Sequence, residues 1–269
     1  MTDLPPPSPD GSPDTSSRPA LTRGGWLRSR SALALAVAVI ALGFAAAPWI
    51  APDLLGGRVV RSYLLAHPEV LDEVVAARQT REETGRVEAV NAAVAANPAL
   101  LAADPRDPAY GPANAQVTVV QFFDFRCPGC KAVAPDFMRL IQAHPEVRFV
   151  FKDWPILDRG EDAMSHYAAR AALAAHAQGK YLPVHQALMA EGSLTEETVD
   201  RILVAQGVDL ARAKAAMVGP EIAAHLADIQ TTAMMFRLTG TPTFLINGKT
   251  THGIAPDEVN RAIEAAKAE

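Results

Sequence analysis

VTVVQFFDFRCPGCK, residues 117–131, is the stretch whose reading decides the fold. An apolar run with strand character passes through a short turn into Cys127-Pro128-Gly129-Cys130, and the pattern then turns helical through Ala132, Val133 and Phe137. These are the only two cysteines in the chain, and they sit at a strand-to-helix junction. There Cys127 projects at a helix N-terminus, where unpaired backbone N–H groups and the helix dipole stabilise a thiolate. Cys130 falls one turn further in, close enough to close a disulfide. Such a pair can cycle between dithiol and disulfide.

Other uses for the two cysteines fit less well. A structural disulfide across so short a loop restricts the unfolded chain little. A structural metal site usually needs four ligands, yet there is no second CxxC and the histidines are scattered. Two cysteines that merely fill a core would not need Pro-Gly between them, a pair that suits a turn.

The rest of the chain supports a globular domain with appendages: 269 residues, 49% hydrophobic, rich in alanine and poor in aromatics. A net charge of −5 carries no signature of nucleic-acid binding. Residues 1–27, rich in Pro, Ser, Asp and Gly, cannot bury enough surface to order and are expected to be disordered. Residues 28–52 contain a charge-free apolar run, preceded by Arg18, Arg23, Arg28 and Arg30. It reads as a membrane-targeting segment over 32–50 that keeps the N-terminus cytoplasmic and exports the remainder of the chain. Small residues at 43–47 offer cleavage sites, so a signal peptide stays open beside the preferred uncleaved signal anchor. Either way the cysteines would face an extracytoplasmic, periplasm-like compartment, where a disulfide persists.

Residues 57–103 read as an N-terminal helical region, with a break at His67-Pro68 and an end at Asn97-Pro98. Val60, Leu64, Leu71 and Val74 form one apolar stripe, Val87, Val90 and Val94 another, and the polar run 78–83 lies between them. So narrow a stripe either docks on its own domain or joins copies of itself, making 57–98 a homo-oligomerisation element; a solvated spacer arm is the alternative. Asp104 to Pro112 reads as a linker. A second strand is expected over 147–152, parallel to the first, then a helical insertion over about 160–238. A hairpin turning at Asn247-Gly248 and a closing helix from Pro256 complete the chain.

This order, with CxxC opening the first helix and a proline just before the third strand, resembles the thioredoxin fold, and the helical insertion resembles the DsbA family. The segments FFDF (122–125), FKDWPIL (151–157) and GTPTF (240–244) are similar to its Com1/ScsC-like branch. The resemblance implies an α/β thioredoxin-fold domain over 104–269 and a thiol–disulfide oxidoreductase. Its catalytic residues would be Cys127, Cys130, Thr241 and a cis Pro242 abutting the pair. Pro128, Gly129 and Gln121 would tune the potential. Gln121 stands where the family carries a buried acid, so resolution of mixed disulfides should be slower and the pair more oxidising. Strand alternation would put Asp124 on the opposite face from Gln121. No cofactor beyond the Cys127–Cys130 disulfide is implied. The expected partners are unfolded or misoxidised exported proteins and a membrane redox partner, with no nucleic acid. A competing function is an exported copper-binding or adaptor protein holding Cu(I) between the two thiolates.

Overall fold

The structure, a computed structural model, describes residues 24–50 and 52–269. Of the segment expected to be disordered, residues 1–23 lie outside the described residues, while 24–27 already belong to a helix, α1 (Gly24–Ile50). The apolar run lies within α1, and Leu33, Leu35, Val37, Ile40 and Leu42 are exposed on it. Among the described residues no helix is long and apolar enough to cross a membrane, so the described part of 32–50 does not support the expected tether. The chain divides into two compact units, with the break at Val75/Ala76.

Helices α2 (Pro52–Ala66) and α3 (Glu69–Ala96) come next, separated at His67-Pro68 because proline supplies no backbone N–H to continue α2. The two stripes of this region fare differently. Val87, Val90 and Val94 are buried within the second unit, Val90 and Val94 in one cluster with Val120, Phe122 and Leu245. Val60, Leu71 and Val74 stay exposed. After a 3₁₀ turn (Pro98–Leu101), the expected linker contributes a short strand, β1 (Ala109–Tyr110), antiparallel to β3 (Arg148–Asp153). Its proline- and aspartate-rich sequence concealed it. The pairing is held by the open edge of β3 and by Tyr110 packed edge-on to Phe151 at 5.9 Å.

β2 (Thr118–Phe123) and β3 are parallel, joined by α4 (Pro128–Ala143), as the crossover predicts. The insertion comprises α5 (Met164–His176), α6 (Tyr181–Ala190), α7 (Glu196–Ala205), α8 (Leu210–Met217) and α9 (Pro220–Met235). The chain then returns to β4 (Thr243–Ile246), antiparallel to β2, and to β5 (Lys249–Thr250). The β4–β5 turn has positive φ at both Asn247 (46°) and Gly248 (81°), the conformation Asn-Gly tolerates best in a two-residue hairpin. α10 (Pro256–Lys267) closes the chain. The sheet order is β1-β3-β2-β4-β5.

Alternation along β2 divides the core. Val119 and Phe123 face the larger cluster, which holds both cysteines and Phe137, Phe149 and Phe244. Val120 and Phe122 face the other, with Val90, Val94, Leu226 and Ile229. The cysteine helix therefore covers one face of the sheet, and α3 with α9 covers the other.

Candidate active site

The site begins with the way α4 starts. Cys127 is its N-cap residue in extended conformation (φ −68°, ψ 120°), and Pro128 occupies the first turn, where its missing N–H costs nothing. The backbone N–H groups of Gly129 and Cys130 in that first turn favour the thiolate form of the Cys127 sulfur. Cys130 is fully buried and Cys127 only 9% exposed, so Cys127 alone borders solvent. Both are free thiols.

From the far side of the sheet comes the loop ahead of β4. The Thr241-Pro242 peptide is cis. The Cys127 thiol donates to the Thr241 carbonyl at 3.2 Å. A Cβ placed on Gly129 would stand 3.4 Å from Pro242 Cδ and 3.8 Å from Cys127 Sγ, so the Pro-Gly turn and the Thr-Pro loop meet at Cys127. Cys127, Cys130, Gly129, Thr241 and Pro242, scattered over the sequence, are thus one constellation.

Its electrostatics separate the two sulfurs. Hydrogen bonding from Cys130 does most to pull the Cys127 thiol down to about 5; the Thr241 side chain and the two backbone donors add to it, against the opposing effect of burial. Burial first, and then the hydrogen bond to Cys127, push the Cys130 thiol far above its ordinary value. At neutral pH the outer sulfur is a thiolate and the inner one a thiol. A thiolate so placed can attack a disulfide or leave from one, and the thiol behind it can hold the proton.

Gln121 is buried at the centre of β2. It shares a face with Val119 and Phe123, hence with Cys130, and its Oε1 is buried without a hydrogen-bond partner. The amide offers an acceptor but cannot store a proton. Asp124 is not opposite Gln121 on a strand, because β2 ends at Phe123. Its carboxylate instead accepts from the backbone N–H groups of Arg126 (2.7 Å), Ile156 (2.8 Å) and Leu157 (3.1 Å) and from the Ser165 hydroxyl (3.0 Å). Asp124 pins the turn before Cys127 to the loop after β3, a role for which an aspartate ending a strand was the only signal. The neighbouring cations are occupied as well. Arg126 pairs with Asp158 (3.5 Å) and Asp162 (2.8 Å), and Lys131 donates to the carbonyls of Leu188 (3.1 Å) and Glu191 (2.6 Å) in and after α6.

Deeper lies a polar group in apolar surroundings. The Tyr181 hydroxyl donates to Asp153 at 2.8 Å, and burial lifts Asp153 to about 8. Beside it His185 is boxed by Phe123, Phe125, Phe151 and Tyr181, with ring centroids 4.9 to 5.7 Å away. Burial holds His185 neutral, its value lowered to about 3.

Fold and site together define a thioredoxin-fold protein with a CxxC pair poised for thiol–disulfide exchange. Comparison with known proteins makes the assignment narrower. A family described as "Thioredoxin" matches residues 103–265, and one described as "Copper resistance protein ScsC N-terminal domain" matches residues 57–84. The chain belongs to the thioredoxin family. A thioredoxin-like oxidoreductase from Silicibacter pomeroyi DSS-3 is 38% identical, with a TM-score of 0.57, covering 62% of this chain and 95% of that one. BcfH from Salmonella enterica Typhimurium is 31% identical, with a TM-score of 0.61, covering 80% and 96%. A stretch of 156 residues is also 33% identical to Na(+)/H(+) antiporter NhaA 3 of Salinispora tropica. That match takes in 57% of this chain and only 24% of the antiporter.

Proposed function

We propose that this protein is a thiol–disulfide oxidoreductase that forms or rearranges disulfides in proteins outside the cytoplasm. The observation that carries the reading is the division of labour between the sulfurs: Cys127 ionised at the α4 N-terminus, Cys130 buried and protonated behind it.

In the oxidising direction a client thiolate attacks Cys127 Sγ of the disulfide. The S–S bond breaks, and Cys130 leaves as a thiolate and takes a proton. A second client thiolate then attacks the client sulfur of the mixed disulfide, and Cys127 departs as its stabilised thiolate. The client has lost two electrons to the pair. In the rearranging direction the Cys127 thiolate attacks a wrong client disulfide; a client thiol resolves it, or Cys130 does so to release a trapped enzyme. The neutral Gln121 slows the steps in which Cys130 loses or gains a proton. A membrane redox partner would restore the working state of the pair.

The exposed apolar side chains Val59, Val60, Tyr63, Leu65, Leu71, Val74 and Val75 support self-association through α2 and the start of α3, since Val87, Val90 and Val94 are already buried within the second unit. Several cysteine pairs in one assembly would favour rearrangement, a monomer oxidation. The deciding experiment equilibrates the purified protein with glutathione and then tests reactivation of scrambled ribonuclease. Protein that reaches no thiol–disulfide equilibrium with glutathione refutes the proposal. The Cu(I)-binding alternative draws on the free dithiol and on the ScsC-type match at 57–84, though that match does not include the cysteines. Tight copper binding abolished by alkylation, without exchange activity, would favour it.

A further inference from the structure

One large apolar side chain stands exposed beside the nucleophile. Ile254 is 40% exposed, and its Cδ1 lies 3.7 Å from the point where a Cβ on Gly129 would be, next to Cys127 Sγ at 3.8 Å and Pro242 Cδ at 3.4 Å. Its loop, residues 251–255 between β5 and α10, is anchored on several sides. The Thr251 hydroxyl donates to the Gly253 carbonyl at 2.7 Å, and the Gly253 N–H donates to Glu258 of α10 at 2.6 Å. A Cβ on Gly253 would meet the Glu258 carboxylate at 2.6 Å, so a larger residue there would push that side chain aside. From α3, Arg86 donates to the His252 carbonyl at 3.0 Å while pairing with Glu83 at 2.5 Å. The Asn91 side chain accepts from the Thr250 N–H at 2.8 Å, covering an otherwise open strand edge. A loop built this firmly holds an isoleucine half in water at the mouth of the site.

We infer that Ile254 is a specificity-determining residue, an apolar wall for the side chain flanking the reacting cysteine of an extended client segment, and that Arg86 is a positioning residue for that wall. The inference rests on the exchange reading above. It assigns a client chemistry: cysteines beside leucine, isoleucine, valine or phenylalanine, as in segments that end up buried once a client has folded. The attacking thiolate must come within bonding distance of Cys127 Sγ, which brings the neighbouring client residue against the Gly129–Ile254 surface. Apolar contact there removes water from both partners.

The test uses the full chain oxidised to the Cys127–Cys130 disulfide and two short peptides, each with one cysteine flanked on both sides by leucine or by serine. Both flanks are neutral, so the peptide thiols ionise alike. The wild type should react roughly tenfold faster with the leucine peptide, within the discrimination an apolar contact supplies. Ile254→Ser should bring the ratio of the two rates close to one. Arg86→Ala should lower the ratio partway and Arg86→Lys, which keeps a donor, should restore it. Equal wild-type rates with the two peptides, or an Ile254→Ser protein that keeps the full preference, overturns the assignment of Ile254. A wild type that reacts with neither peptide overturns the exchange reading itself.

Discussion

Replacing Cys130 by alanine removes the sulfhydryl that does most to hold the Cys127 thiolate, while leaving the backbone donors of Gly129 and Cys130 and the Thr241 contact in place. A hydrogen bond to a charged group is worth about 1.5–3 kcal/mol. One pKa unit corresponds to about 1.4 kcal/mol, so the loss is equivalent to about 1–2 units. The Cys127 thiol, at about 5 in the native pair, should therefore titrate at about 6–7 in the alanine variant. At pH 6 the thiolate fraction then falls from about nine-tenths to between about one-half and one-tenth, and alkylation by iodoacetamide slows about two- to tenfold. Above pH 9 the two proteins should react alike. Thiolate absorbance at 240 nm against pH gives the same midpoint independently. Cys130→Ser keeps an O–H donor and should leave the midpoint near the native value, while trapping client proteins as mixed disulfides. A midpoint unmoved in the alanine variant would show that Cys130 is not the donor. A midpoint rising to the ordinary cysteine value near 9 would show that the helix N-terminus contributes nothing, and the reasoning from α4 would fail.

Burial keeps Asp153 protonated up to about pH 8 in the folded chain, against an ordinary value of 3.8. Its contribution to stability is full below pH ~4 and is lost as pH rises through 8. Asp153→Asn should therefore melt higher than the native protein at pH 8.5 and no higher at pH 4, as differential scanning calorimetry would show; a uniform shift across pH would contradict this. Phe137 packs against Phe149, Phe151 and Phe244 at centroid distances of 5.3 to 5.7 Å, so Phe137→Ala should cost about 3–5 kcal/mol in urea denaturation. Gln121→Glu puts a carboxyl on the face shared with Cys130, and should speed resolution of a glutathione mixed disulfide and make the pair less oxidising; stopped-flow rates and a potential that both stay unchanged would place position 121 out of reach of the sulfurs. Deleting residues 57–75 should yield a monomer by light scattering if α2 and the start of α3 carry the assembly.

Much of this was legible in advance because it is local. A period-two apolar run, a proline after an N-cap cysteine and an Asn-Gly hairpin each report on a few adjacent residues. Their conformations derive from backbone sterics and from hydrogen bonds the chain makes with itself. β1 was hidden because Asp104 to Pro112 has the composition of a linker, and it is a strand only by virtue of the β3 edge beside it. The turn-pinning work of Asp124 was hidden for a related reason: its partners Ile156, Leu157 and Ser165 are remote in sequence and meet it only at the end of the sheet.

The amino-acid sequence by itself determined that a cysteine pair opens a helix after an apolar strand, and that a Thr-Pro dipeptide precedes a later one. Only tertiary structure decided that Arg126 and Lys131 are engaged by other groups, that one valine stripe of α3 is buried in the second unit while the stripe before it stays exposed, and that Ile254 stands beside Cys127. The physical reason is that a charge or an apolar surface acts on whatever lies within a few ångströms of it. For these side chains that neighbour comes from a distant part of the chain, brought near by the closing of the sheet.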